Sequence, residues 1–306
     1  MLFRSAGFHP AAFPHPMRSA TSPSFRGFSF VEVLVLLGVA GALVAVLLPA
    51  LQRSREASRQ AQCGDNCRRF GLALGGYDDA KREFPPGSDG FTTDRLKEPP
   101  RLHAWSSFIL PFLAERPAKL EIDYAKPWND PGGNLAASRT DLAVYVCPSG
   151  VQRYPGKQDY GGVMGTAMKR SGDENLVADW AHAGVLYATD DEAHRQPCRR
   201  EMITDGLANT VLVAEASDRG AITEEGKPTA EDLAASSLWA HGTNCILLSS
   251  RVVNDPAVDS FWSTHPGGVQ ALFADGRVVF LTDSVDADVL VAICTKSGGE
   301  EVPDGF

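Results

Sequence analysis

The sequence has no excess of positive charge, and it lacks the short motifs that mark the common catalytic sites. It carries 29 lysines and arginines against 38 aspartates and glutamates, which gives a formal net charge of −9. A nucleic-acid partner is therefore not expected, because neutralising phosphates requires a basic face. No G-x-S-x-G, H-E-x-x-H or Walker A pattern occurs. The usual signatures of serine hydrolases, zincin proteases and P-loop NTPases are thus excluded.

Cysteine is sparse, and the C-x-x-C pair typical of zinc knuckles and of thiol exchange is absent from the sequence. The six cysteines are dispersed. Neither a zinc knuckle nor a thioredoxin motif is predicted. From the sequence, we expect no metal site and no cofactor.

A basic segment and an apolar segment follow one another at the N-terminus. Residues 1–27 contain three arginines and no acid, which predicts a basic leader. Residues 28–51 are apolar except for Ser29 and Glu32. A helix over these residues is about 36 Å long, enough for a hydrocarbon core of about 30 Å. Since no small-residue cleavage site follows the segment, we predict a retained transmembrane helix.

Glu32 is the one ionisable side chain inside this apolar run. An ionised carboxylate in lipid persists only when it is paired or functional. In one interpretation, Glu32 lies near the headgroups and reaches water. In the other, it pairs with a cation at the same depth, and a free α-amino group produced by cleavage after Gly27 is such a cation.

The stretch RGFSFVEVLVLLGVAGALVAVLLP (residues 26–49) resembles the prepilin-type cleavage and methylation segment of type IV pilins and type II secretion pseudopilins. Gly27, Phe28 and Glu32 match the pattern G-F-T-L-[IV]-E of that family, and two intervening positions depart mildly from it. The resemblance implies cleavage between Gly27 and Phe28 by a prepilin peptidase, followed by N-methylation of Phe28. It also implies that Glu32 acts in filament assembly.

The helix is predicted to continue beyond the membrane over residues 52–84. Pro49 falls where pilin-like helices commonly carry a proline, and we expect a kink there. The sequence F-P-P-G ends the helix. One face of the extension is apolar at helical spacing, which predicts packing against a globular head; its members are Cys63, Cys67, Phe70, Leu74 and Tyr77.

Residues 85–306 are predicted to form an α+β head with an antiparallel sheet. The strand candidates include Asp141–Ser149, Ala183–Thr189 and Asn209–Ala216. In an oxidising compartment, Cys147 in the head and Cys63 on the helix are a candidate disulfide, although six cysteines leave other pairings open.

A hairpin is the clearest local signal in the head. Two alternating apolar runs flank Asp275-Gly276 in HPGGVQALFADGRVVFLTDSVD, which predicts strands joined by a type I′ turn. His265, nine intervening residues and Asp275-Gly276 resemble the C-terminal signature of a large bacterial family of unknown function that begins with a prepilin-like segment. That resemblance implies no known enzymatic activity. A catalytic or metal pair of His265 and Asp275 is the less favoured interpretation, and a turn histidine beside a hairpin is preferred.

These observations predict a non-enzymatic, pseudopilin-like structural subunit of a filament or a type II secretion-like pseudopilus. The expected location is the cytoplasmic (inner) membrane, with a single pass, a cytoplasmic N-terminus and an extracytoplasmic head. The expected partners are prepilin peptidase, other pilin-like subunits and membrane lipid. The alternative is a membrane-anchored binding module or enzyme that uses the prepilin-type segment only as an anchor.

Overall fold

The computed structural model divides the chain into two units, Met1–Leu51 and Gln52–Phe306. We call the second the C-terminal unit. The predicted leader and the cleavage-site residues Gly27 and Phe28 lie outside the residues that the structure describes. The described residues are 29–89, 102–151, 153–168, 183–189, 196–217, 237–255 and 260–303.

The longest element is a single helix, α1, from Phe30 to Lys81. A reciprocal capping box begins it: the Ser29 hydroxyl accepts a hydrogen bond from Glu32 N (3.2 Å), and Glu32 Oε2 accepts one from Ser29 N (2.8 Å). Pro49 lies inside the helix, and the kink stays a prediction. The apolar part of α1 before residue 52 is solvent-exposed, and it is long and apolar enough to cross a bilayer. Its length and composition are those of a membrane anchor or a signal sequence.

The later part of α1 buries the apolar face that the sequence predicted. All five predicted positions, from Cys63 to Tyr77, are buried. The Phe70 ring lies at the centre of an aromatic group, with its centroid 5.6 Å from that of Trp105, 5.5 Å from that of Tyr145 and 5.0 Å from that of Tyr160. This group ties α1 to the sheet within the C-terminal unit.

The C-terminal unit is built on a five-stranded sheet with strand order β5-β2-β4-β6-β7. A two-stranded parallel pair, β1 with β3, lies apart from it. The α+β class is therefore confirmed. The strands are β1 (Ser88–Asp89), β2 (Tyr160–Thr166), β3 (Ala188–Thr189), β4 (Val211–Glu215), β5 (Cys245–Leu248), β6 (Gly268–Phe273) and β7 (Val278–Thr282). The other helices are α2 (Trp105–Phe108), α3 (Asn134–Ser138) and α4 (Ala287–Ala292), with short 3₁₀ turns at Leu110–Phe112, Ala143–Tyr145, Arg200–Met202 and Leu207–Asn209.

The prediction of a purely antiparallel sheet is wrong at one strand pair. The pairs β2–β4, β4–β6 and β6–β7 are antiparallel, whereas β2 and β5 are parallel. Parallel neighbours need a crossover of a dozen or more residues. The long connection from Thr166 to Cys245, which contains β3 and β4, provides it.

The hairpin of β6 and β7 is present, but its turn is not type I′. Phe273 N donates a hydrogen bond to the backbone oxygen of Arg277, the residue before β7 (2.8 Å). Gly276 N donates to the backbone oxygen of Phe273 (2.9 Å). Gly276 has φ +90°, but Asp275 is not among the residues with positive φ. A type I′ turn needs positive φ at both central positions, so this is a three-residue loop with glycine in the left-handed position.

Strand β6 is buried on both faces, although its sequence alternates. Val269, Ala271 and Phe273 pack in one apolar cluster with Leu290 of α4. Leu272 belongs to the other cluster, which includes residues of α1. Helix α1 comes close to this side of the sheet, since a Cβ on Gly64 would lie 3.4 Å from Gln270 Oε1 and one on Gly71 would lie 3.1 Å from Leu272 Cδ1.

Two glycines of the C-terminal unit, one in a close backbone contact and one in open space, test how tightly the chain packs there. A Cβ at Gly87 would lie 1.9 Å from the backbone oxygen of Leu186, whereas a Cβ at Gly75 in α1 meets nothing within 4 Å. We expect Gly87→Ala to lower the free energy of unfolding by about 3 kcal/mol, at the upper end of overpacking effects. We expect Gly75→Ala to raise it by up to about 1 kcal/mol through helix propensity. Denaturant unfolding of the full chain in detergent, followed by tryptophan fluorescence, measures both; equal effects would contradict the backbone clash.

Candidate functional site

Four side chains with metal-binding or nucleophilic groups meet inside the C-terminal unit. They come from separate elements: Cys63 from α1, Cys147 from the segment after the 3₁₀ turn Ala143–Tyr145, Glu215 from the end of β4 and His265 from the bend before β6. One ligand atom from each lies within 4.8 Å of the other three, and all four residues are buried. We call these residues the four-residue cluster.

The ring nitrogen Nε2 of His265 is the centre of the four-residue cluster. It lies 3.1 Å from Cys63 Sγ, 3.4 Å from Cys147 Sγ and 3.4 Å from Glu215 Oε1. The two sulfur atoms are 3.0 Å apart, and both cysteines are free thiols. The donors therefore surround a common point.

The opposite ring nitrogen of His265 is held by a carboxylate from α1. His265 Nδ1 lies 2.5 Å from Glu56 Oε1. Glu56 also accepts hydrogen bonds from Ser149 Oγ (3.0 Å) and from Arg59 Nε (2.8 Å). A carboxylate on one ring nitrogen fixes the tautomer and the direction of the other. Nε2 is therefore turned toward the sulfur atoms.

Backbone and side-chain hydrogen bonds fix the remaining members. Cys147 N donates to Asp159 Oδ2 (2.8 Å), and Asp159 Oδ1 pairs with Lys157 Nζ at 2.8 Å. Gln270 N on β6 donates to Glu215 Oε2 (2.7 Å). Glu215 Oε1, by contrast, is buried and accepts no hydrogen bond among the residues that the structure describes.

The acid–base properties of the four-residue cluster are strongly altered by its close contacts. The hydrogen bond with Cys63 lowers the pKa of Cys147 to about 6 against the opposing effect of burial, and the His265 hydrogen bond adds to this. Burial lowers the pKa of His265, but its contacts with Cys147, Glu215 and Glu56 outweigh this effect and raise this pKa to about 11. The hydrogen bond to Cys147, together with burial, raises the pKa of Cys63 well above its usual value. The lowered pKa of Cys147 and the raised pKa of His265 both favour the charged forms of these two groups.

This arrangement suits metal binding or disulfide formation better than covalent catalysis. A thiolate beside a histidine is the pattern of a nucleophilic cysteine. Cys63, Cys147 and Glu215 are 0% exposed and His265 is 2% exposed, however, so a substrate has no access to the sulfur.

Comparison with known protein families identifies the C-terminal unit. The family described as "Protein of unknown function (DUF1559)" matches residues 52–288, about three quarters of the chain. The chain belongs to the DUF1559 family. The matched range contains the whole four-residue cluster and begins where the apolar segment of α1 ends. Comparisons with curated proteins and with solved structures give no match.

Within the C-terminal unit, the structure of this DUF1559 chain brings three of the predicted site residues together and places Asp275 and Gly276 elsewhere. Cys63, Cys147 and His265 meet in the four-residue cluster. Asp275 and Gly276 lie beyond the far end of β6, a strand about 20 Å long at about 3.4 Å per residue, whereas His265 precedes its start. His265 and Asp275 therefore do not form a pair; Asp275 Oδ1 accepts from Arg277 N (2.8 Å) within its own loop.

Sequence reasoning about this DUF1559 chain missed two acidic residues. Glu215 is the last residue of the apolar run that forms β4, where a carboxylate signals a site at the strand end. Glu56 precedes Cys63 by seven residues, which places both on one side of α1. Each signal is weak alone, and the fold is needed to show that they meet.

Proposed function

We propose that this chain is a non-enzymatic, pilin-like structural subunit of an envelope filament or a type II secretion-like pseudopilus. The apolar part of α1 anchors it in the cytoplasmic membrane with the N-terminus inside and residues 85–306 outside. Prepilin peptidase cleaves between Gly27 and Phe28, Phe28 is methylated, and the subunit then assembles with other pilin-like subunits.

The observation that carries this proposal is the exposed apolar surface of the first half of α1. Between Phe30 and Leu51, Glu32 is the only ionisable residue, and the large apolar side chains are largely exposed. A helix that is apolar on all sides needs lipid or other apolar helices around it. A bilayer provides the first environment, and a bundle of identical helices provides the second.

The position of the Glu32 side chain supports a role at a new N-terminus. Its carboxylate turns back along the helix to bond Ser29 N, one residue from Phe28. Cleavage after Gly27 would create an α-amino group next to Ser29. Such a cation would neutralise Glu32 either within one subunit or between neighbours, which offsets the cost of a carboxylate in lipid.

The burial of the four-residue cluster is the reason for proposing a structural rather than a catalytic subunit. A membrane-anchored enzyme requires a reactive group that substrate reaches. Cys147 and His265 are the thiol and imidazole of the four-residue cluster, and both are buried.

Glu32→Gln tests the charge of Glu32 separately from its capping role. Glutamine at this position still accepts the hydrogen bond from Ser29 N, because glutamate and glutamine both complete a capping box. We expect Glu32→Gln to retain leader cleavage and to lose at least about 90% of incorporation into sheared filaments or cross-linked multimers, because the carboxylate charge is what pairs with the new amino terminus. The N-terminal peptide mass and the multimer fraction from native membranes are the measurements.

Ser29→Ala is the matched control, since it weakens the cap by about 1 kcal/mol and leaves the charge in place. We expect it to assemble like the wild type. An intact leader on the wild-type protein, or normal assembly of Glu32→Gln, would refute the proposal.

A further inference from the structure

We propose that Cys63, Cys147, Glu215 and His265 form a closed structural zinc site that fastens α1 to the sheet. The site is independent of the filament role, because its ligands all lie in the C-terminal unit. The ligand is a single Zn²⁺ ion bound by two thiolates, one imidazole nitrogen and one carboxylate oxygen.

The donor set is the one that zinc prefers. Zinc takes cysteine sulfur, histidine nitrogen and carboxylate oxygen, and structural sites have four protein ligands in a tetrahedron. Tetrahedral sites with two sulfur donors point to zinc rather than to magnesium or calcium, which require oxygen ligands. The four-residue cluster provides two sulfur atoms, one nitrogen and one oxygen, and no fifth donor is needed.

The spacing of the donors fits such an ion with little movement. Bonds of about 2.3 Å to sulfur and about 2.0–2.2 Å to nitrogen and oxygen place tetrahedral ligand atoms about 3.3–3.8 Å apart. His265 Nε2 already lies 3.1–3.4 Å from the other three donors. The sulfur pair, at 3.0 Å, needs to open by about 0.8 Å, and Cys63 Sγ, at 3.1 Å from His265 Nε2, by about 0.4 Å. All four ligand atoms lie within 4.8 Å of one another.

A buried carboxylate oxygen provides independent evidence for a missing ligand. Glu215 is fully buried; its Oε2 is fixed by Gln270 N, whereas its Oε1 makes no hydrogen bond of normal geometry in the described part of the chain and has only the His265 Nε2 contact at 3.4 Å. A buried carboxylate oxygen that is so weakly paired is costly. Oε1 lies toward His265 Nε2 and the sulfurs, where a cation would satisfy it.

The surroundings of His265 are those of a zinc-binding histidine. Metal-ligating histidines donate their second ring N–H to a carboxylate or a carbonyl. Glu56 accepts at Nδ1 and leaves Nε2 to bind the ion. Glu56 is thus a positioning residue rather than a ligand.

A disulfide between Cys63 and Cys147 is the competing state of the same sulfurs. It requires them to approach by about 1 Å, and it leaves Glu215 Oε1 with only the 3.4 Å contact to His265 Nε2. Zinc is favoured because it accounts for all four side chains, whereas the disulfide accounts for two.

The first experiment measures metal in full-length protein purified in detergent without reductant or added chelator. We expect about one zinc ion per chain, measured by elemental mass spectrometry. Exchange for Co²⁺ should give the near-ultraviolet thiolate-to-cobalt charge-transfer band and the intense visible bands of tetrahedral cobalt. A Cys63–Cys147 disulfide in non-reduced peptides, or a chain that takes up neither ion after reduction, would overturn the proposal.

Matched variants locate the site. Cys67 is also fully buried, one turn from Cys63 on α1, but it lies outside the four-residue cluster. We expect Cys63→Ala to lose stoichiometric zinc and Cys67→Ala to keep it. Glu215→Gln keeps the shape of the side chain and should also lose zinc, which covers the case in which Cys63→Ala does not fold. Glu56→Gln should lower the affinity for zinc about 10–100-fold. Wild-type zinc affinity in both Cys63→Ala and Glu215→Gln would overturn the assignment.

Discussion

Replacing Lys157 by methionine should lower the free energy of unfolding by about 3–5 kcal/mol, because it removes one partner of a buried ion pair with Asp159. The Lys157 and Asp159 side chains are 1% and 0% exposed, and their charged atoms are 2.8 Å apart. Natural domains are stable by only about 5–15 kcal/mol. A loss of this size therefore removes a large part of the stability, and chemical unfolding of the full chain in detergent measures it.

Arg68→Met is the matched control for this experiment. It also replaces a cation of an ion pair by methionine, but Arg68 and Asp65 are 61% and 60% exposed. Exposed pairs contribute about 0–1 kcal/mol. Similar losses in the two variants would show that burial of Asp159 does not determine the result.

Replacing Phe70 by alanine should cost about 3–5 kcal/mol, the usual range for a large aromatic residue in a core. The ring is fully buried, stacks on Tyr145 and meets the edges of Trp105 and Tyr160. Its removal leaves a cavity at the place where α1 packs on the sheet. Such ring contacts add about 0.5–1.5 kcal/mol beyond the area that they bury.

Leu72→Ala on the same helix provides the comparison. Leu72 is 79% exposed and lies on the opposite side of α1. The change makes no cavity, and helix propensity slightly favours alanine. For Leu72→Ala we expect a free energy of unfolding within about 0.5 kcal/mol of the wild type. A comparable loss of unfolding free energy in both variants would argue against a packed face on α1.

Local patterns predicted the elements whose side-chain spacing matches their burial. The buried face of α1 was predicted because Cys63, Phe70 and Leu74 recur at helical spacing and do not depend on distant residues. Strand β4 and the hairpin of β6 and β7 follow from short apolar runs and from Asp275-Gly276. The turn type was wrong because a glycine at one left-handed position suits more than one loop length.

Segments whose backbone groups form hydrogen bonds with residues distant in the sequence were not predicted correctly. The run Asp141–Ser149 has strand-like composition, but it contains the 3₁₀ turn Ala143–Tyr145. Its polar groups bond to Asp159, since Tyr145 O accepts from Asp159 N (2.8 Å) and Cys147 N donates to Asp159 Oδ2 (2.8 Å). Ala183–Thr189 forms strand only at its last two residues, where β1 is available as a partner.

The candidate site depended on contacts that no local pattern encodes. The sequence predicts Cys63 and Cys147 only as a candidate disulfide between the helix and the head. His265 was named for a different reason, and Glu215 was not named. Their convergence requires the order of β4 and β6 in the sheet and the close approach of α1.

The distance along the chain between α1 and its partners has a consequence for biosynthesis. Cys63 meets His265, which follows it by 202 residues. Ribosomes add about 5–20 residues per second, so α1 leaves the ribosome about 10–40 s before the segment that covers it. During this interval the α1 side chains that pack on β6 lack their final cover, and apolar surface left exposed in an incomplete fold is prone to aggregation. The last strands made are thus the ones that complete the cover of the first helix.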